Sequence, residues 1–124
     1  MTTETKEALL NGANCFIEAV TIEHIGCNKQ TVNCLDKNMY QLNDIITIDN
    51  KDIGTIKSVK VVRVHDIDAI GIVNIMKISI PIPRCIDGAK KAYDLLENKF
   101  KDWHNKQYNN YDQNPYVFLY EVAK

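Results

Sequence analysis

Between positions 70 and 82 the chain sets Ile70, Ile72, Asn74, Met76, Ile78, Ile80 and Ile82 on one alternating face, and only Asn74 is polar. β-Branched residues at this density predict a strand. Pro81 and Pro83 predict where it ends, because proline has no amide to donate to a central ladder. A ribbon apolar on both sides needs cover on both. The amphipathic segment that follows supplies one cover, so a second subunit is expected over the other, through face packing or strand pairing across a two-fold axis. A buried amide costs about 1–3 kcal/mol unless it is bonded. Asn74 is therefore expected either to satisfy a nearby backbone group or to face a ligand or a partner chain.

The segment Asp87–His104 predicts the main helix. Ala89, Ala92, Tyr93, Leu96, Phe100 and Trp103 follow helical spacing and form one apolar stripe. Asp87 suits the N-cap, and Glu97 with Lys101 forms an i,i+4 pair on the outer face. Upstream, Thr3–Leu10 suits one or two helical turns stopped by Asn11-Gly12. Cys15–Ile25 reads as a strand, with Gln30–Leu35 as its hairpin partner across a turn near Gly26. Ile45–Ile48 is a short strand, the polar run Asp49–Asp52 a turn, and Ile53–His65 a long strand broken near Asp66–Asp68. Val59, Val61, Arg63 and His65 share one of its faces. After a polar loop over 105–114, Tyr116–Val122 reads as a final strand or a short helix.

The 124 residues suit a single domain, which buries roughly 65–70% of the unfolded surface and needs no staple. The expected class is α+β: an antiparallel β-sheet or partly open small barrel with one main amphipathic C-terminal helix. The strand-rich part covers 13–83, the helix 87–104, and a loop with a short element 105–124. Cys15, Cys27, Cys34 and Cys85 form no C-x-x-C pair, and Met1–Glu7 is polar, so free thiols and a cytoplasmic location are expected. No apolar run reaches the ~20 residues needed to cross a bilayer, so no membrane association is expected. No metal or cofactor is implied.

The net charge is −1, which does not favour duplex nucleic acid as a partner. Charge is uneven, however. Residues 1–50 hold three lysines and seven acids, while 51–84 hold six basic residues and three acids. An anion site would therefore draw on 51–84, although solvated surface charge explains the same imbalance. Arg63 and His65 share a face and offer donors to phosphate or carboxylate, and they equally suit a polar edge. Arg84 precedes the helix start, where free amides favour anions. Trp103 fits the core stripe and also offers a stacking surface. His104 near a helix C-terminus favours the dipole as a cation. His24, His65 and His104 sit in no catalytic signature, so no catalytic residue is assigned and an enzyme is disfavoured.

The run Tyr40-Gln41-Leu42-Asn43-Asp44-Ile45-Ile46-Thr47-Ile48, followed by Ile53-Gly54-Thr55-Ile56-Lys57, resembles the opening hairpin of SH3-like, KOW and OB barrels. Asn43 stands where a turn glycine is usual, and it tolerates the same left-handed backbone. In size and in element order over Tyr40–Val64 and Ile70–His104, the chain is similar to phage accessory proteins and to the Thoeris anti-defence family. The resemblance implies a symmetric oligomer that sequesters cyclic ADP-ribose-type signals made by TIR enzymes, in the host cytosol if phage-encoded. The corresponding expectation is a non-enzymatic protein binding a small phosphorylated nucleotide, with Arg63, His65, Asn74, Arg84 and Trp103 as ligand-binding candidates. A homo-oligomer, dimer or higher, goes with it. The alternatives are a small barrel module for nucleic acid or a host protein, and a small hydrolase using His65 or Cys34.

Overall fold

A computed structural model describes residues 1–20, 40–78 and 86–124, without the side chains of Ile86 and Asp87. The elements run α1 (Thr3–Leu10), β1 (Cys15–Ala19), β2 (Ile45–Ile48), β3 (Lys51–Arg63), α2 (Ala69–Met76), α3 (Ile86–Gln107) and β4 (Tyr116–Ala123), with 3-10 turns at Val64–Asp66 and Tyr111–Gln113. The four strands form an open antiparallel sheet in the order β1-β4-β3-β2. The fold is thus α+β. Its last strand takes an inner position, and β1 pairs with that strand. The expected hairpin partner over Gln30–Leu35, Pro81, Pro83 and Arg84 all lie outside the described residues.

Local chemistry explains the β2–β3 hairpin. Asp49 and Asn50 both take positive φ, 51° and 65°. Two such residues make the primed two-residue turn whose twist matches antiparallel strands. Asn43 also adopts positive φ, 72°, and donates its amide to the Ile56 carbonyl at 2.8 Å. The Asp44 carboxylate accepts from the Gln41 amide at 2.8 Å, so this turn closes without glycine. At Gly54 a side chain would collide: a Cβ there would lie 2.5 Å from both the Ala123 carbonyl oxygen and Val122 Cγ1. The glycine lets β3 approach β4 closely at this crossing.

Alternation along β4 divides the core in two. Phe118, Tyr120 and Val122 face one way, into a cluster with Phe16, Ile46, Ile48, Ile56, Ala8 and Leu9. Phe16 stacks on Tyr120 at 4.7 Å, and Tyr40 meets both rings edge-on. Val117 and Leu119 face the other way with Ile17 and Val62, under Ile72 and Ile75 of α2 and Leu96 and Phe100 of α3. The helices therefore cover the second face.

The strand expected over 70–82 is corrected by α2. Residues 69–76 are helical, and Lys77 closes the helix in the left-handed conformation (φ 54°). The segment is apolar almost all round, so periodicity alone does not separate strand from helix. Asp68 decides it locally: its carboxylate accepts from the Gly71 amide at 2.7 Å as an N-cap. Burial follows helical spacing, with Ile72 and Ile75 buried and Ala69, Val73 and Met76 partly so. The ribbon with two apolar faces does not form over these residues, and the case for a dimer across its uncovered face goes with it.

Smaller corrections concern α3. It begins at Ile86, so Asp87 lies inside the first turn rather than before it as an N-cap. Lys101 reaches Asp112 at 3.1 Å instead of Glu97. The stripe is buried in its second half, at Leu96 and Phe100, whereas Tyr93 and Leu95 are 44% and 53% exposed.

Candidate functional site

The sheet's second face is covered unevenly. Val117 lies beneath α3, but towards the other end of β4 the face opens around Leu119 and Glu121. Two cavities of about 320 Å³ and about 410 Å³ lie here and share Cys15, Asn74 and Glu121 in their walls. The two adjoin at these shared residues, between the sheet and α2, and together make up a groove. Cross-strand register explains the shared wall, because Cys15 sits opposite Glu121 and Ser58 flanks Glu121 on the other side. A one-residue bulge between Ile56 and Ser58 leaves Lys57 unpaired in the ladder, and its ammonium lies 3.7 Å from the Glu121 carboxylate.

The groove has two chemical ends. The larger cavity is lined by Asn14, Lys57 and Lys124 as well as the shared residues. Lys77, the cap of α2, is not in that wall but lies near Lys124, which is: the Nζ atoms of Lys77 and Lys124 both come within 3.9 Å of the point a Gly12 Cβ would occupy. Gly12 has φ 106°, a left-handed backbone that suits glycine and leaves this space open. Burial and the neighbouring Lys77 charge hold the Lys124 ammonium below the usual lysine range. Neither lysine forms an ion pair among the described residues. The smaller cavity carries Asp66, Asp68 and Lys60 together with apolar Val62, Ile67, Ile70 and Leu119. Ile70 is 73% exposed. Burial and the Glu121 charge raise the Cys15 thiol above its ordinary range, more than Lys57 and Lys60 lower it. The protonated thiol is therefore favoured in this wall.

The residues singled out from sequence fall in separate places. Asn74 is half-buried on α2 and walls both halves of the groove. Arg63 and His65 do come together, at a different corner of the sheet. Arg63 lies 4.4 Å over the Tyr116 ring and donates to the Asn114 carbonyl at 3.2 Å. His65 Nε2 lies 2.6 Å from the Tyr111 carbonyl oxygen, and its backbone amide donates to the Asn114 side chain at 2.9 Å. Both residues thus pin the 108–115 loop. Trp103 is half-buried, stacked beside Phe100, and lines a third cavity of about 300 Å³ with Glu4, Glu7, Met76 and Lys106. Arg84 lies outside the described residues.

His104 departs from its expected role. It is 1% exposed, and burial lowers its pKa. Burial favours the neutral ring, which opposes the dipole gain expected of a cation at the helix end. The lysines at 57, 77 and 124 are the site residues that sequence reasoning missed. Nothing in a linear reading brings 77 and 124 to Gly12. The one available hint was the basic excess of 51–84, which includes Lys57, Lys60 and Lys77.

No group of three or more histidine, cysteine or acidic side chains placed to hold a metal occurs among the described residues. No described helix is long and apolar enough to cross a membrane. No known protein family, curated protein or solved structure matches this chain.

Proposed function

We propose that the chain is a non-enzymatic binding protein that holds a small phosphorylated nucleotide in the groove between α2 and the sheet. The observation that carries this reading is the approach of two ammonium groups without counter-ions, Lys77 and Lys124, to the space beside Gly12, with Lys124 in the wall of one cavity and Asp66, Asp68 and Lys60 in the wall of its neighbour. Like charges held close, one of them losing solvation, are relieved by a bound anion. A phosphate answers that need. Asp66 and Asp68 accept hydrogen bonds, as ribose hydroxyls or an exocyclic amine would supply them. Apolar Ile70 and Leu119 between the two ends suit the flat body of such a ligand. Sequestration of a cyclic nucleotide signal is the biological form of this proposal. It now rests on the groove and not on the apolar ribbon.

A thermal-shift screen tests it, with cyclic mononucleotides, cyclic ADP-ribose isomers, linear nucleotides and inorganic pyrophosphate. A true ligand at 100 times its Kd adds about 2.7 kcal/mol and raises Tm by several degrees. The double variant Lys77→Glu/Lys124→Glu should fold and lose the shift. The reading is refuted if no compound in the screen shifts Tm, or if the shift survives the double substitution.

A further inference from the structure

We propose that His104 is the pin of an acid-released latch, whose protonation frees the segment Tyr108–Asn114 from the end of α3 and from the β3 corner. The segment has no regular strand or helix beyond one 3-10 turn; Tyr111 packs edge-on to Phe100 against the second core cluster, Tyr108 is half-buried, and a few polar contacts hold the rest. The Asn105 side-chain oxygen accepts from the Tyr111 amide at 3.0 Å. Asn110 Oδ1 lies 2.7 Å from His104 Nε2. On the far side, Arg63 and His65 bond the carbonyls of Asn114 and Tyr111.

The geometry around His104 sets two effects against each other: protonation keeps the Nε2–H donor to Asn110, which favours the charged ring, whereas burial and a partnerless Nδ1 oppose it more strongly. Asn110 Oδ1 accepts, so Nε2 carries the proton of the neutral ring. Nδ1 is then the bare nitrogen, and it is buried without a hydrogen-bond partner. A second proton must enter there, facing no acceptor. The ring is caged by Phe100, Tyr108 and Tyr111, with centroids 6.3, 5.0 and 6.0 Å away. None of the ion pairs among the described residues involves His104. The ionisable groups around it offer little relief. His65, from the turn after β3, adds repulsion to a cation at 104. Tyr108 is pushed up to about 12 by burial first, then by the charges of Glu18 of β1 and Glu4 of α1, and stays a neutral phenol. Tyr111 is also raised, by burial first and then by Glu97 and Tyr93 of α3 and its neighbour Asp112, and stays neutral. The Asp112 carboxylate is taken by Lys101.

The sign follows from linkage. A buried base whose pKa is lowered on closing keeps the closed form stable above its free value of about 6.5. That stability is lost as pH falls through the lower closed-state value. Opening also releases Arg63 Nη1 and His65 Nε2 from the carbonyls that occupy them, so acid would turn these two donors outward.

Amide hydrogen exchange, corrected for intrinsic rates, reads the latch directly. In the wild-type chain, protection of residues 108–114 should fall by up to about tenfold per pH unit below about 6.5, while β3 and β4 amides stay protected. His104→Gln should abolish that dependence, and His65→Gln should keep it. Asn110→Asp places a carboxylate beside Nε2 and should hold the loop closed in acid. It also serves as the test should His104→Gln fail to fold. Equal protection of the loop at about pH 5 and about pH 7.5 in the wild type would overturn the proposal. So would a pH dependence that persists in His104→Gln, or one that is unaltered in Asn110→Asp.

Discussion

The two sides of β4 show how one strand serves two purposes. Phe118, Tyr120 and Val122 are all 4% exposed or less and lie in a closed aromatic and aliphatic cluster. On the reverse side, Val117 is just as buried, but Leu119 is half-buried and Glu121 lines a groove. The difference comes from what covers each face. α3 is long enough to seal one end of the second face, whereas α2 has eight residues and ends at Lys77. A short helix over a long strand leaves sheet uncovered, and here that surplus becomes the candidate site. The first face should therefore dominate stability, and the open end of the second should carry the ligand chemistry.

The largest effect expected from this contrast is a core truncation. Phe118→Ala removes a fully buried ring and should cost about 3–5 kcal/mol. Leu119→Ala, one residue along and half-buried over the groove, should cost well under half of that, because the site already borders solvent. Urea denaturation of both variants compares them. Equal losses would mean that the groove end is as closely packed as the aromatic face, and the distinction between the faces would fail.

An intermediate effect belongs to α2, the cover that leaves the groove open. Asp68→Ala removes the carboxylate that accepts from the Gly71 amide and should cost about 1 kcal/mol. Asp68→Asn, which can still cap, should recover most of it. A loss of less than about 0.3 kcal/mol in the alanine variant would show that α2 is held by tertiary packing alone.

The same helix marks where sequence reasoning stopped. Local turn chemistry was legible: Asn43, Asp49 and Asn50 are residue types that tolerate positive φ, and each one adopts it. The bounds of α1 and β2 follow from Asn11-Gly12 and from the alternation of Ile46 and Ile48. α3 was legible because its apolar stripe stands against a charged background. Residues 69–76 have no such background, since only Asn74 among them is polar. β-Branched content then favoured strand, while the Asp68 cap, a one-residue signal, was read only as a break. The candidate site was less legible still. Asn74 was singled out as a polar residue in an apolar run, and it does reach the groove. The wrong secondary structure nevertheless gave it the wrong neighbours. Lys57, Lys77 and Lys124 are brought to the groove by a bulge, a helix cap and a terminal strand, and these relations exist only once the chain is folded. Arg63 and His65 were read as sharing one strand face; His65 instead lies in the 3-10 turn after β3, and the donors of both meet loop carbonyls rather than an open site.

The smallest effect tests whether the groove end is a site or only an edge. Glu121 and Lys57 are 38% and 59% exposed at their side chains, so their contact should contribute only about 0.2–1 kcal/mol. Glu121→Gln is therefore expected to leave stability almost unchanged in physiological salt. Its effect on binding should be larger and of opposite sign. Removing the carboxylate deletes a negative charge from the wall shared by both cavities and releases Lys57 to face an incoming anion. A phosphorylated ligand found in the thermal-shift screen should then bind more tightly in Glu121→Gln, and the gain should shrink as salt rises and screens the lysines. Isothermal titration at two ionic strengths measures both quantities. Tighter binding with unchanged folding stability would locate the anion at the Lys57–Lys124 end. Unchanged binding would place it away from Glu121, and the division of β4 into a structural face and a ligand face would have to be drawn elsewhere.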